Sequence, residues 1–153
     1  MTALKKLDII DKIVERRTKM ANKTYKDEKF GTFTLYKYTY DTYYNIEEYK
    51  TGNYTLSILV FVDNMDDLKQ CIEKLNQLNE NIEKLDKLSR KIFIEKLEST
   101  EEDLNEIELN GIWYYKDKHF ELLYNLPEEV GLEYVKAIFN ENNIAIDATM
   151  DNY

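Results

Sequence analysis

The side chains most able to do chemistry are scarce in this 153-residue chain: it holds one histidine, His119, and one cysteine, Cys71. A histidine acts as a general base when a second group orients it. His119 sits between Lys118 and Phe120 at a turn, with no partner encoded beside it, and reads as a surface residue. Cys71 falls on the apolar stripe of a helix, where packing accounts for it better than reactivity, because a nucleophilic thiolate needs an accessible, electropositive setting. One cysteine excludes an internal disulfide, and a lone histidine excludes a zinc site built from Cys/His clusters. The four glycines stand singly, so there is no phosphate-cradling loop, and no serine lies in a G-x-S-x-G context. Asp63-Asn64-Met65-Asp66-Asp67 has the composition of a cation loop but lacks the glycine and closing glutamate of an EF-hand. Acids at a helix N-terminus explain it without a metal. Carboxylates are so abundant that no hydrolytic pair stands out. The expectation is a non-enzyme with no catalytic residues, no cofactor and no metal.

Thirteen tyrosines are the unusual feature. Tyr36, Tyr38 and Tyr40 alternate along one strand and so share a face, and Trp113-Tyr114-Tyr115 form a second aromatic group. Amphipathic rings can simply cover a half-exposed sheet. They are also the favoured anchors of protein interfaces. The candidate partner-binding residues are therefore Tyr36, Tyr38, Tyr40 and Trp113, with Glu101, Glu102 and Asp103 as an acidic rim.

Charge narrows the partner. The net charge is −9. Residues 1–30 carry nine Lys/Arg against five Asp/Glu, whereas residues 97–153 carry three lysines against fourteen acids. Such a surface repels phosphate backbones, so nucleic acid is not an expected ligand, while a basic protein would be steered inward. An acidic surface also serves plain solubility. No apolar run approaches the ~18 residues of a membrane span, and the N-terminus lacks an apolar signal core, so the expected setting is the cytoplasm without membrane association.

The elements that must position these groups follow from periodicity. Leu4, Leu7, Ile10 and Ile13/Val14 recur at helical steps, so residues 2–20 read as an amphipathic helix. Residues 1–22 are separable from a single α+β domain over 23–153. Arg16 and Arg17 can be encoded AGG-AGG, a ribosome-binding sequence suitably placed before Met20, so 1–19 could be an extension ahead of a native start at Met20. Gly31–Tyr40, Tyr43–Lys50 and Tyr54–Val62 read as strands, the last with Leu56, Ile58, Val60 and Val62 on one face. Asn64–Ser99 is helical. One unbroken helix there would be about 50 Å long, too long for this domain, so a break near Asn79–Asn81 into two antiparallel helices is expected; a dimerising coiled coil is the alternative. Ile107–Tyr115, Phe120–Tyr124, Glu133–Asn140 and Ile144–Met150 are further strands joined by hairpin-like turns. The fold expected is α+β: a mainly antiparallel sheet of about seven strands, with an N-terminal helix and a helical hairpin covering one face. Leu56, Ile58, Val60, Leu75, Leu85, Ile92, Ile138 and Ile146 are expected in the core.

Three stretches carry a resemblance: Phe30-Gly-Thr-Phe-Thr-Leu35, Leu78–Phe93 with its Leu85-Asp86-x-x-x-Arg90, and Gly131–Asp151 ending in Ile146-x-x-Thr149-Met150-Asp151. Over residues 29–151 the chain resembles a group of small acidic bacterial proteins of the domain-of-unknown-function type, some of which sit among polymorphic-toxin immunity genes. The resemblance implies a fold type, a bacterial origin and a partner-binding role, and it transfers no catalytic residue. The leading functional expectation is an immunity or inhibitor protein that neutralises a basic toxin or nuclease. The alternatives are a housekeeping interaction or scaffold domain, and a prophage-encoded inhibitor of a host defence nuclease.

Overall fold

The computed structural model describes residues 24–38, 41–126 and 133–152. The expected helix over 2–20 and the candidate Tyr40 lie outside the described residues. The architecture is α+β. Strands β1 (Thr24–Asp27), β2 (Gly31–Tyr38), β3 (Asp41–Thr51), β4 (Tyr54–Phe61), β5 (Glu108–Tyr115), β6 (Phe120–Asn125), β7 (Glu133–Phe139) and β8 (Ala145–Asn152) form one sheet in chain order. Helices α1 (Met65–Glu80), α2 (Ile82–Leu97) and α3 (Glu101–Leu104) lie between β4 and β5.

The sheet has eight described strands rather than about seven. The strand missed is β1, four residues in which Lys26 and Asp27 obscure any alternation. Every neighbouring pair is antiparallel except β4–β5, which runs parallel from Ser57↔Gly111 to Phe61↔Tyr115. Tight turns reverse the chain and give antiparallel pairs. The helical crossover after β4 returns the chain to the end from which β4 began, so β5 must run parallel to it.

Asn64 caps α1 by accepting the Asp67 N–H at 2.8 Å, and Asp66 and Asp67 occupy the first turn, where the dipole favours them. Leu68, Cys71, Ile72, Leu75 and Leu78 form the buried stripe of α1. The helix breaks at Asn81, within the expected window. Asn81 leaves helical geometry (φ −112°, ψ 16°), and its side-chain amide donates to the Gln77 carbonyl at 3.0 Å. The expected antiparallel hairpin is instead an elbow. One residue cannot reverse a chain between helices that need 8–10 Å of separation. Accordingly α1 packs on β5 while α2 runs on to β7 and β8.

The core lies between these helices and one face of the sheet, with Phe33, Leu56, Ile58, Val60, Leu75, Leu85, Ile92 and Phe139 all buried. Ile138 is only half-buried, and Ile146 is 50% exposed. Ile138 points to the side without helices, paired with Glu121, because Val135, Ala137 and Phe139 take the inward positions of β7. Ile146 has a different reason, a bulge: Ile138 pairs with Asp147 but Phe139 pairs with Ala145, so Ile146 is the extra residue and drops out of the alternation. No described helix is long and apolar enough to cross a membrane.

Candidate partner-binding face

Residues directly paired across neighbouring strands point to the same side of a sheet. The registers therefore map the side without helices. One row runs Tyr36↔Tyr43↔Phe61↔Tyr115 across β2 to β5. The next runs Thr34↔Asn45↔Leu59↔Trp113↔Glu121↔Ile138↔Asp147 across β2 to β8. A third runs Ser57↔Gly111↔Leu123↔Lys136↔Thr149. Position 111 suits glycine because a Cβ there would meet the Ser57 carbonyl oxygen at 3.3 Å.

The aromatic residues of β4 and β5 in these rows touch one another. Phe61 stacks on Tyr115 at 4.8 Å between centroids and meets the edge of Trp113 at 6.0 Å. Tyr115 stacks on His119 at 4.1 Å, and Trp113 lies 6.1 Å from Tyr134. Leu59, Phe61, Trp113 and Tyr115 are half-buried, and Tyr36 is 40% exposed.

A buried charge sits among these rings. Glu121 is 5% exposed. One of its oxygens accepts the Tyr115 hydroxyl proton, and the other lies 2.8 Å from Lys136 Nζ. The same ammonium lies 5.6 Å from the Trp113 ring centre. A buried carboxylate is tolerated only when paired and hydrogen-bonded, and both oxygens of Glu121 are engaged. Burial, and then the bond to Glu121, push the Tyr115 hydroxyl well above the usual tyrosine range. The cluster thus presents a neutralised aromatic surface rather than an available base.

The candidate residues separate into two groups. Tyr36 and Trp113 share the helix-free face, in adjacent rows and three strand spacings, about 14 Å, apart across the strands. Tyr38 ends β2. Tyr114, between Trp113 and Tyr115 in sequence, points the other way and is buried in the core. Glu101, Glu102 and Asp103 are exposed in α3, which belongs to the helical layer: Leu104 is a core residue, and Arg90 of α2 donates to its carbonyl. The acids therefore lie on the opposite side of the sheet from the aromatic rows and do not rim them. Asp103 also has a local task, closing a capping box with Thr100, whose backbone and hydroxyl bonds hold its carboxyl below the ordinary range.

Phe61, Glu121 and Lys136 were missed as members of this face, and Tyr115 was named in the second aromatic group but not as a binding candidate. The signal for Phe61 was the alternation of β4, since the residues between Leu56, Ile58, Val60 and Val62 must point away from the core. No local pattern linked Glu121 to Lys136, because their pairing depends on the β6–β7 register.

Other candidates resolve into structural roles. His119 does have a partner, Asp117, which bonds its Nδ1 and accepts its backbone N–H at 3.1 Å. Burial, with help from Asp67, pushes the Cys71 thiol up to about 11. Asp63 and Asp67 lie 2.7 and 3.6 Å from Lys116 Nζ. Asp86, of the Leu85-Asp86-x-x-x-Arg90 pattern, is a buried hub. It accepts the hydroxyls of Tyr124 at 2.6 Å and Tyr54 at 2.9 Å, and Arg90 Nε at 3.0 Å. Arg90 in turn reaches the carbonyls of Leu104 and Ile107. This network ties α2 to β4, β6 and the entry to β5.

In comparisons with family models, curated proteins and solved structures, nothing matches this chain.

Proposed function

We propose that the protein is a non-enzymatic binding domain, an immunity or inhibitor protein that neutralises a basic toxin or nuclease. The observation that carries the reading is the set of aromatic residues Tyr36, Phe61, Trp113 and Tyr115, with Leu59, on the helix-free side of a chain with net charge −9. Half-exposed rings held by cross-strand stacking lose little side-chain entropy on binding, which is what makes such residues effective anchors. The acidic chain supplies long-range attraction for a basic partner and discriminates against nucleic acid. With Glu101 and Glu102 on the helical side, their contribution is to the encounter rather than to the bound contact.

The test uses the purified product of the gene immediately upstream, captured on a biosensor at about 50 and about 500 mM salt. The expected result is a complex whose association slows at high salt. Trp113→Ala should speed its dissociation about 30-fold, equivalent to about 2 kcal/mol at the centre of an interface. Glu101→Gln with Glu102→Gln should alter association alone. No complex at either salt concentration, or a complex indifferent to both Trp113→Ala and Tyr36→Ala, would overturn the reading.

A further inference from the structure

Exposure is uneven on the side of the sheet without helices. One row starts at Thr24↔Thr34 and continues through Leu59, Trp113, Glu121 and Ile138. Thr34, Leu59, Trp113 and Ile138 are half-buried and Glu121 is buried, whereas Thr32, Tyr36 and Ser57 in the rows beside it are exposed. Leu123 and Tyr134, also on this side, are 4% and 7% exposed, yet neither belongs to the core between sheet and helices. Among the described residues no element lies on this side to cover them.

The chain ahead of Thr24 has the length, the position and the charge of a cover. It ends at the first member of this row. A helix over residues 2–20 would be about 28 Å long. The six strand spacings from β1 to β7, where Ile138 lies, come to about 29 Å. The stripe of Leu4, Leu7, Ile10 and Ile13/Val14 is apolar, as are Leu59, Trp113 and Leu123. Residues 1–23 carry seven Lys/Arg against three Asp/Glu, or +4, and residues 24–153 carry fourteen against twenty-seven, or −13. The segment is therefore attracted to the rest of its own chain. We infer that residues 2–20 pack, apolar stripe inward, along the row from Thr34 to Ile138, and so occupy Trp113 in cis. A partner that uses Trp113 must then displace this segment, which makes it an autoinhibitory strap. That consequence rests on the function proposed above; the contact itself does not.

Acrylamide quenching of Trp113, the one tryptophan, reads the contact in the full chain. At about 150 mM salt, where exposed charges are largely screened, Leu7→Asp with Ile10→Asp should raise the quenching constant at least about twofold, because a carboxylate is not held unpaired against apolar rings. Lys12→Asp, on the opposite side of a helix from the stripe, makes the same change in net charge and should leave quenching unchanged. Independently of any variant, amides of residues 4–14 in the unaltered chain should exchange at least about tenfold more slowly than in an unfolded chain. In the biosensor assay above, the double variant should associate with the partner faster than the unaltered chain does. A partner that binds neither protein defeats the functional reading and leaves the quenching result standing. Exchange at the unfolded rate would overturn the inference, as would equal quenching in all three proteins, the result if residues 127–132 are the cover. Protection of Trp113 that grows with protein concentration from about 1 to about 100 µM would also overturn it, in favour of a second copy.

Discussion

Replacing Asp86 with alanine removes one carboxylate and leaves three donors behind it. The Tyr124 hydroxyl is fully buried and keeps Ser89 beside it but loses its carboxylate acceptor, a loss of about 1–3 kcal/mol. Tyr54 is only half-buried, so its hydroxyl can recover a water and adds little. Arg90 keeps its bonds to the Leu104 and Ile107 carbonyls but loses its neutralising partner. Because its side chain is 30% exposed, that loss falls at or below the lower end of the ~3–5 kcal/mol found for breaking a fully buried pair. The expected total is about 3–4 kcal/mol. At about 2–4 °C per kcal/mol for a chain this size, Tm should fall by about 6–16 °C. Urea unfolding followed by the fluorescence of Trp113, the one tryptophan, measures this directly, and the m-value should hold if the native fold is kept. Asp86→Asn retains an acceptor and should cost about half as much. Adding Tyr124→Phe to Asp86→Ala should recover about 1 kcal/mol by removing the stranded hydroxyl. A loss below about 1 kcal/mol for Asp86→Ala, or no recovery in the double variant, would refute the view that this network joins helix to sheet.

Alkali should unfold the protein through the same network. Burial and the bond to Asp86 raise Tyr54 from 10.0 to about 12 and lift Tyr124 well above its usual value. A pKa raised on folding contributes stability that is complete below about pH 10 and lost as pH climbs through the folded value. Denaturation midpoints measured from pH 8 to about pH 12 should therefore be level and then fall; a fall already complete by pH 10 would contradict it. Cys71, with its thiol at about 11 and 4% exposure, should resist iodoacetamide at pH 8 in native protein and react at once in urea; rapid native labelling would contradict its core position. Thr100→Ala removes the hydroxyl that accepts the Asp103 N–H at 3.1 Å and should cost about 1 kcal/mol with faster amide exchange across α3; unchanged exchange would show that the cap is dispensable.

The sequence by itself determined the features that depend on neighbours along the chain. The α+β class, the helical run from Asn64 and the core face of β4 follow from side-chain period and capping chemistry, which act within a few residues, and the break near Asn79–Asn81 from the length of about 50 Å that an unbroken helix would have. The burial of Cys71 was legible for the same reason. Contacts made at a distance decided the rest. Ile146 escaped the core because a bulge in its pairing with β7 added a residue that no periodicity in β8 records. The helical pair opened into an elbow because one residue, Asn81, cannot reverse the chain, and α2 runs on to β7 and β8. Trp113 and Tyr115 parted from Tyr114 by alternation, yet only the parallel β4–β5 register set them beside Phe61. Glu121, Lys136 and Asp86 looked like ordinary charges in the chain. Their partners come from other elements, and a charge becomes a buried hub only when the tertiary fold withdraws its water and supplies a neutralising group in the same place.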